Sequence, residues 1–292
     1  MTTTEAATDS AATGTFKHHA VKTSRGVIAV AEIGEGPALV MLHGGGPGAS
    51  GISNYHQNID ALAQRFRVLL PDQPGFGRSY RPGAEQLEAE SITEITVSVL
   101  FEALDQLGID EFHLLGNSLG GAAAIAMAQS QPARIQRLVL MAPGGGWLPF
   151  GPTPTEGQQA MFRYFNGDGP SVKKMADFIR TMVFDHKRFG SDVVQARYEA
   201  SLDSSHIEFY HHYNAAFARR HGMDPLWKEL PKITAPTLLL WGRDDRTITL
   251  DGAQMMLKQI RDVQLHVFGN CGHWVQLERP RDFERLVIDF LS

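Results

Sequence analysis

The segment Gly116–Gly120 has the residue types of a serine nucleophile on a tight turn. It reads Gly-Asn-Ser-Leu-Gly and stands between a strand-like apolar run, Phe112–Leu115, and a small-residue run typical of a helix, Leu119–Gln129. Glycine has no Cβ, so glycines can flank a strained turn where other side chains would collide. A serine on such a turn is exposed at the end of its strand, with a helix N-terminus behind it that favours negative charge. We therefore predict that Ser118 is a nucleophile.

The general base and its orienting acid are expected after two later apolar runs. The run Pro236–Trp241 is typical of a strand, and the loop that follows it contains Asp244 and Asp245. A second such run, Val263–Phe268, is followed by His273. The chain order serine, aspartate, histidine accompanies this serine motif, and the acid orients the histidine that takes the serine proton. We predict Asp245 as the acid, with Asp244 as the alternative, and His273 as the base.

A glycine-rich loop is the candidate oxyanion hole. The segment His43–Gly48 reads His-Gly-Gly-Gly-Pro-Gly and follows the strand-like run Ala38–Leu42. Glycines let backbone amides approach a reacting oxygen closely, and loops of this type supply such donors beside a serine nucleophile. Phosphate binding is the competing interpretation, but the loop lacks the Gly-Lys-Ser/Thr ending of a phosphate-binding loop and has no Lys or Arg nearby. We expect the amides of Gly45 and Leu119 to hold the oxyanion.

Neither cysteine nor metal chemistry fits the remaining residues. Cys271 lacks the glycine turn that surrounds Ser118 and stands two residues before the predicted base, so we do not expect it to be a nucleophile. The histidines other than His273, including the pairs His18-His19 and His211-His212, show no ligand spacing beside carboxylates or thiols. We therefore expect no metal, and the predicted chemistry requires no organic cofactor.

A parallel sheet would bring these loops together. From about Val21 the chain alternates short apolar runs with helical patterns, and the runs are bulky and continuous, which is typical of strands buried on both faces. In such sheets ligands bind at the carboxyl ends of the strands, where the loops described above are expected. We predict an α/β fold with a mostly parallel central sheet flanked by helices, formed by residues 21–146 and 218–292.

Residues 147–217 interrupt the alternation of strands and helices. They show helical patterns without a convincing strand, and they contain 13 of the 26 aromatic residues in the chain. One interpretation is a small helical subdomain that needs bulky side chains to form a core. The other is an apolar lid over a site. We predict an inserted helical lid.

Composition and charge limit the class of protein. A chain of 292 residues with 43% apolar and 20% charged residues is typical of one large globular domain with an insertion. Its apolar runs fall far short of the roughly 20 residues of a membrane span, and a net charge of −5 gives no reason to expect a nucleic-acid partner. The single cysteine fits a reducing cytoplasm. Residues 1–20 lack the basic and apolar regions of a secretion signal, so we expect a mobile tail.

Five segments, taken in order, resemble the meta-cleavage product hydrolases, which are α/β-hydrolases that cut carbon–carbon bonds in ring-opened aromatic compounds. The segments are His43–Ala49, Pro71–Gly77, Gly116–Gly121, Trp241–Arg246 and Cys271–Gln276. The resemblance implies hydrolysis of a 2-hydroxy-6-oxo-hexa-2,4-dienoate to 2-hydroxypenta-2,4-dienoate and a carboxylic acid, in aromatic or steroid catabolism and without a cofactor. It also implies that the protein forms a homo-oligomer. The expected ligand is a small-molecule dienoate substrate.

The resemblance also implies roles for individual residues. Ser118, Asp245 and His273 match the family's catalytic triad, and Gly45 and Leu119 match its oxyanion-hole amides. Substrate-binding positions of the family correspond to Gly44, Gly46, Asn54, Asn117, Arg197 and Trp274. Without the resemblance, Arg197 would be interpreted as a surface helix residue.

Two departures from the family pattern bear on which substrate the protein would take. Ile52 stands where many members have Trp, and Leu119 replaces the Met of the biphenyl-type branch, as in the steroid-degrading branch.

Two other functions stay open. A carboxylesterase needs the same triad without Arg197 and is the main alternative. A non-catalytic ligand receptor on the same fold is the second. A haloalkane dehalogenase or an epoxide hydrolase would carry Asp in place of Ser118.

Overall fold

An eight-stranded sheet forms the centre of the computed structural model, which describes residues 15–146, 151, 153–220 and 222–292. The strands are β1 (Lys17–Lys22), β2 (Val27–Ile33), β3 (Ala38–Leu42), β4 (Arg67–Pro71), β5 (Phe112–Asn117), β6 (Ile135–Met141), β7 (Thr237–Gly242) and β8 (Val263–Phe268). Their order across the sheet is β1-β2-β4-β3-β5-β6-β7-β8. β2 pairs antiparallel with β1 and β4, and the other pairs are parallel. The predicted α/β fold is confirmed.

Helices cover both faces of the sheet. The α-helices of the described residues are α1 (Gly51–Tyr55), α2 (Ile59–Ala63), α3 (Ala84–Ala89), α4 (Ile92–Gln106), α5 (Leu119–Ser130), α6 (Glu156–Phe165), α7 (Val172–Met182), α8 (Ser191–Ala200), α9 (Ser204–Arg219), α10 (Asp251–Gln259), α11 (Val275–Glu278) and α12 (Pro280–Leu291). Residues of α4 and α5 pack on one face, and residues of α2 and α12 pack on the other. Within the described ranges, no helix is both long and apolar enough to cross a membrane.

Alternate residues of the inner strands face two separate cores. In β3, Val40 and Leu42 pack with α4 and α5, whereas Leu39 and Met41 pack with α2 and α12. Successive side chains of a strand point to opposite faces, so a strand with both faces covered needs an apolar residue at every position. Burial of each such side chain stabilises the fold by roughly 1.5–3 kcal/mol. This explains the continuous apolar runs in the sequence.

The first strand was not predicted, and it shortens the expected N-terminal tail. The tail was predicted over residues 1–20, but β1 begins at Lys17 and pairs with β2 along its whole length. Only Val21 of β1 is buried, because the strand lies at the sheet edge with its side chains largely in solvent. A strand of this kind has no apolar run, and its charged residues suit an exposed edge. Residues 1–14 lie outside the described part of the chain.

Helices α6–α9, which we call the helical insertion, lie between β6 and β7 in the chain. Their buried side chains share a third apolar core with Leu119 at the start of α5 and with Trp274 before α11. The insertion therefore packs against the residues that adjoin the predicted nucleophile and base. Its last helix runs to Arg219, two residues beyond the predicted boundary. The predicted start at Trp147 lies outside the described residues.

Candidate active site

Ser118 lies on a strained turn between β5 and α5. Its backbone has φ 55° and ψ −114°, a conformation that residues other than glycine rarely adopt. A Cβ on Gly116 would lie 2.4 Å from the Gly120 carbonyl oxygen, and a Cβ on Gly120 would lie 2.4 Å from the Leu42 carbonyl oxygen. Glycine is therefore required on both sides of the turn. The turn places Ser118 at the carboxyl end of β5, with the N-terminus of α5 behind it.

The structure brings His273 and Asp245 together. The distance from His273 Nδ1 to Asp245 Oδ2 is 2.7 Å, and both side chains are buried. The other carboxylate oxygen of Asp245 accepts hydrogen bonds from the Thr247 amide at 2.7 Å and the Ile248 amide at 3.0 Å. Both oxygens of the carboxylate are therefore engaged, which orients it toward the imidazole. With Nδ1 held by Asp245, Nε2 is the ring nitrogen left to accept a proton from Ser118.

Asp244, the alternative acid, lies in a different environment. Its carboxylate accepts a hydrogen bond from the Cys271 amide at 3.4 Å and contacts the exposed guanidinium of Arg243 at 3.3 Å. Asp244 helps to connect the loop after β7 with the loop after β8. The geometry thus favours Asp245 as the partner of the histidine.

The loop that carries His273 is bonded to the helical insertion. The amides of His273 and Trp274 donate to the Met182 carbonyl at 2.7 and 3.2 Å. The buried carboxylate of Glu278 accepts from the Gly272 amide at 2.6 Å and from the Phe184 amide at 2.9 Å. These bonds fix the position of the imidazole relative to the end of α7. Sequence reasoning missed Glu278, because nothing in its type or spacing indicates that its side chain turns back to this loop.

The glycine-rich loop is organised by the buried imidazole of His43. Its Nε2 accepts a hydrogen bond from the Gln73 amide at 2.9 Å, so Nδ1 carries the proton and donates to the Gly44 carbonyl at 2.8 Å. Burial lowers the pKa of His43, which keeps the ring neutral and this pattern intact. A Cβ on Gly45 would lie 2.8 Å from Leu119 Cδ2, so glycine is required where the loop meets the start of α5.

Ten of the eleven predicted site residues line a single cavity between the sheet and the helical insertion. They are Gly44, Gly45, Gly46, Asn54, Asn117, Ser118, Leu119, Arg197, His273 and Trp274. The eleventh, Asp245, is buried and contacts His273. The predicted nucleophile, base and backbone donors thus share one enclosure, as acyl-transfer chemistry requires.

Two buried amide side chains in this cavity have unpaired polar atoms. Asn54 accepts from the Gly44 amide through Oδ1 at 3.4 Å, and Asn117 donates to the Met141 carbonyl through Nδ2 at 3.2 Å. Neither the Asn54 Nδ2 donor nor the Asn117 Oδ1 acceptor has a hydrogen-bond partner in the described part of the chain. A buried polar atom without a partner costs about 1–3 kcal/mol, so these two atoms are available to hydrogen-bond a polar ligand in the cavity.

Arg197 brings positive charge to the same cavity. Its guanidinium carbon lies 4.8 Å from the centre of the Trp274 ring and 5.9 Å from that of Phe178. Across the described residues it forms no ion pair, and its Nε has no hydrogen-bond partner. Desolvation lowers the pKa of Arg197 to about 10, which still leaves it charged at neutral pH. A cation in this position suits an anionic ligand.

The remaining lining of the cavity is mainly apolar. It includes Met161, Phe162, Met182, Phe217, Met223 and Ile248. Sequence reasoning did not identify these residues singly, although the high aromatic content of residues 147–217 pointed to the segment that supplies several of them. The cavity can therefore take a molecule with an anionic, hydrogen-bonding part and an apolar part.

Cys271 is buried, and burial raises the pKa of its thiol well above the usual range. It is therefore poorly suited to act as a nucleophile. In the ranges that the structure describes, no group of three or more His, Cys, Asp or Glu side chains could hold a metal ion.

Comparison with known proteins agrees with this geometry. A sequence profile of the alpha/beta hydrolase fold family matches residues 37–280. A 2-hydroxy-6-oxononadienedioate/2-hydroxy-6-oxononatrienedioate hydrolase of Cupriavidus pinatubonensis is 38% identical over 257 residues, which cover 87% of this chain and 86% of the relative. A 2-hydroxy-6-oxo-6-phenylhexa-2,4-dienoate hydrolase of Comamonas testosteroni is 38% identical over 266 residues, which cover 89% of each chain.

The fold also matches a solved structure along most of its length. The meta-cleavage product hydrolase CumD of Pseudomonas fluorescens IP01 superposes with a TM-score of 0.82 at 30% sequence identity, covering 94% of this chain and 97% of that one. The profile match over residues 37–280 includes the glycine-rich loop, the helical insertion and the loop of His273. The chain therefore belongs to the meta-cleavage product hydrolases, a family of α/β-hydrolases.

Proposed function

We propose that the protein hydrolyses the C5–C6 bond of a 2-hydroxy-6-oxo-hexa-2,4-dienoate, giving 2-hydroxypenta-2,4-dienoate and a carboxylic acid. The observation that carries this proposal is the Arg197 guanidinium, which lines the cavity that contains Ser118 and forms no ion pair with any described residue. A simple ester offers no anion for this cation. A dienoate carries a carboxylate at one end and a ketone at C6, which suits a cavity with both a cation and a nucleophile.

The unpaired amide atoms support the same orientation of the substrate. Arg197 would bind the C1 carboxylate, the Asn54 Nδ2 group would donate to an oxygen at the C1–C2 end, and the Asn117 Oδ1 atom would accept from the 2-hydroxyl group. Placed in this way, the dienoate would satisfy buried polar atoms that have no partner among the residues the structure describes. The C6 substituent would then lie among the apolar side chains of the cavity.

The first chemical step is a proton transfer that turns the dienol into a ketone. The 2-hydroxyl loses its proton and C5 gains one, with His273 as the shuttle. This step makes C5 a CH₂ group between C4 and the C6 ketone. When the C5–C6 bond later breaks, its electron pair can move through C4 and C3 onto the C2 oxygen. The cation at the carboxylate end then stabilises the negative charge of the dienolate.

Ser118 would then attack the C6 carbonyl carbon. Its proton passes to Nε2 of His273, which Asp245 orients, and the amides of Gly45 and Leu119 hold the oxyanion. Collapse of the tetrahedral intermediate breaks the C5–C6 bond and leaves an acyl group on Ser118. The departing dienolate takes the serine-derived proton from His273 and leaves as 2-hydroxypenta-2,4-dienoate, so His273 is neutral again. Water, deprotonated by His273, then hydrolyses the ester, and His273 returns the proton to Ser118 as the carboxylic acid is released. The helical insertion would act as a lid that limits the access of bulk water to the cavity.

Two further aspects of the proposal concern the protein in its cell. We propose a homo-oligomer, for which the resemblance to the family is the support. We also propose a cytoplasmic enzyme, which is supported by a single buried cysteine that suits a reducing compartment.

The test is a comparison of two substrate classes with the purified protein. Dienoates with phenyl, alkyl or fused-ring substituents at C6 are followed by the loss of their visible absorbance, and p-nitrophenyl esters are followed by release of nitrophenolate. A C–C hydrolase should give a higher kcat/KM with at least one dienoate than with any ester. Rapid ester hydrolysis without bleaching of any dienoate would favour a carboxylesterase instead.

A further inference from the structure

A tyrosine of the helical insertion contacts the glycine-rich loop directly. Tyr210, on α9, is completely buried, and its hydroxyl donates a hydrogen bond to the Gly45 carbonyl oxygen. The two residues are 165 positions apart in the sequence. Tyr210 does not line the cavity, in contrast to Tyr213 one turn later on the same helix. Any effect of Tyr210 on the reaction must therefore act through the loop.

The ring of Tyr210 is held from several sides. It stacks on Phe165 with 4.3 Å between ring centres, and it meets His206 edge-on at 5.0 Å. Phe76 packs against it at 5.9 Å. An aromatic ring held in this way leaves its hydroxyl little freedom, so the position of the Gly45 carbonyl depends on how α9 packs against the rings around it.

The Gly45 carbonyl needs such a support. Glycine has no Cβ to restrict rotation of the backbone, so the peptide between Gly45 and Gly46 can adopt many orientations in a free loop. His43 holds the preceding peptide through the Gly44 carbonyl, and the Gly46 carbonyl accepts from the Ala49 amide at 3.1 Å. Tyr210 holds the peptide between Gly45 and Gly46 through its hydrogen bond to the Gly45 carbonyl, so the peptides on both sides of the Gly45 Cα are held. The Gly45 N–H lies on the peptide that His43 holds. It has no acceptor among the described residues, which leaves it available to an oxyanion.

We propose that Tyr210 is a positioning residue that holds the peptide after Gly45, so that the Gly45 backbone keeps the conformation in which its N–H, on the peptide held by His43, binds the oxyanion. The oxyanion hole is then complete only when the helical insertion is seated on the sheet. This inference rests on the proposed acyl transfer at Ser118, but not on the identity of the acyl donor. Burial raises the pKa of Tyr210 well above its usual range, so the hydroxyl stays protonated and remains a donor. Seating of the insertion would thereby couple substrate enclosure to catalytic competence.

The test removes only the hydroxyl group, with Tyr210→Phe, and measures ground-state and transition-state binding separately. Loss of one oxyanion donor reduces kcat by about 10²–10³-fold, and a donor that is merely misplaced should cost less, roughly 10- to 100-fold. The dienoate KM should change less than about 2-fold, because the hydroxyl lies outside the cavity. A boronic acid that forms a tetrahedral adduct with Ser118 should lose affinity by a factor similar to that in kcat.

The matched control is Tyr164→Phe. Tyr164 is also a buried tyrosine of the helical insertion, but its hydroxyl bonds to Ser201 Oγ at 2.5 Å and not to the glycine-rich loop. Both variants should unfold at lower urea concentrations than the parent protein, but only Tyr210→Phe should lose boronate affinity. Equal effects of the two variants on kcat and boronate binding would overturn the proposal, as would unchanged boronate affinity in Tyr210→Phe.

The same measurements made with a p-nitrophenyl ester separate this inference from the proposed function. If no dienoate is cleaved, the C–C hydrolase proposal fails while Tyr210 is still tested by the ester reaction. If dienoates are cleaved and Tyr210→Phe behaves like Tyr164→Phe, the positioning role fails alone. A loss of kcat with both substrates, matched by a loss of boronate affinity, supports the positioning role.

Discussion

The guanidinium group of Arg197 lies over the ring of Trp274, with its central carbon 4.8 Å from the ring centre. Trp274 directly follows His273, so a cation from the helical insertion rests on the neighbour of the proposed base. Contact with an aromatic face stabilises a partly desolvated cation by roughly 1–2 kcal/mol without neutralising it. The positive charge thus remains available to an anionic substrate, and the proposed carboxylate site adjoins the proposed base.

Replacement of Arg197 tests this link between recognition and catalysis. With Arg197→Ala, kcat/KM for a dienoate should fall roughly 10- to 100-fold, because a charge-assisted hydrogen bond to the carboxylate is lost. The rate with a neutral p-nitrophenyl ester should change much less. Steady-state kinetics with both substrates measure the difference. Arg163→Ala, which removes an exposed arginine of α6, is the control and should leave both rates near those of the parent protein. Equal losses with the two substrates would contradict a carboxylate-binding role for Arg197.

The two neighbouring aspartates should behave differently. Asp245→Asn replaces an acceptor with an amide beside His273 Nδ1 and favours the wrong tautomer, so kcat should fall by about 10³–10⁴-fold. Asp244→Asn should retain most activity, because this side chain only connects two loops. Assays of both variants at neutral pH, with circular dichroism to verify folding, provide the comparison. A larger loss with Asp244→Asn would reassign the acid.

Removal of the nucleophile should separate binding from turnover. Ser118→Ala leaves Arg197 and the amide side chains in place, so the variant should still bind the coloured dienoate with an affinity close to the parent KM. Turnover should fall by about 10³-fold or more, since little besides the oxyanion hole and substrate binding remains. Stopped-flow spectra would show a long-lived bound chromophore. Full activity in this variant would mean that Ser118 is not the nucleophile.

The buried imidazole of His206 should make the free energy of unfolding depend on pH. His206 is buried among aromatic rings and bonds to the Gly75 carbonyl at 2.9 Å, and desolvation lowers its pKa to about 4. The unfolded chain, with an ordinary histidine pKa near 6.5, binds more protons than the folded one as the pH falls from 7 to 5. The contribution of His206 to stability is therefore full above pH 6.5 and declines toward pH 4, by about 2 kcal/mol between pH 7 and pH 5.

Urea unfolding at the two pH values measures this effect. His206→Gln should have a lower free energy of unfolding than the parent protein at pH 7. Between pH 7 and pH 5, the free energy of unfolding of the variant should fall by about 2 kcal/mol less than that of the parent protein. His211→Gln is the matched control, since His211 is exposed on the same helix. If His206→Gln and the parent protein showed the same decline, His206 would not be the source of the pH dependence.

The parts of the site that follow directly from local sequence could be predicted. Ser118, its flanking glycines and the loop after β3 each combine a distinctive residue type with a strand end, and the parallel sheet brings strand ends together. The sequence left Asp244 and Asp245 as alternatives, because neighbouring residues in a loop differ only in where their side chains point. Their hydrogen bonds distinguish them in the structure.

Features set by packing between distant segments could not be predicted from the residues themselves. The contact of Tyr210 with Gly45 depends on how α9 packs, and a buried tyrosine has the same sequence appearance whether or not it reaches a loop. Arg197 was identified only through resemblance to the family, since its type and spacing suit a surface helix. The strand β1 was missed because five of its six residues are not buried, so no apolar run marks it.

The most direct test of the central claim is the product analysis of a single dienoate reaction. Purified protein is mixed with 2-hydroxy-6-oxo-6-phenylhexa-2,4-dienoate, and the products are separated and quantified as the colour fades. C–C hydrolysis predicts one benzoate and one 2-hydroxypenta-2,4-dienoate for each molecule consumed, with no such products from Ser118→Ala on the same timescale. Bleaching without benzoate, or benzoate formed equally by Ser118→Ala, would contradict the account.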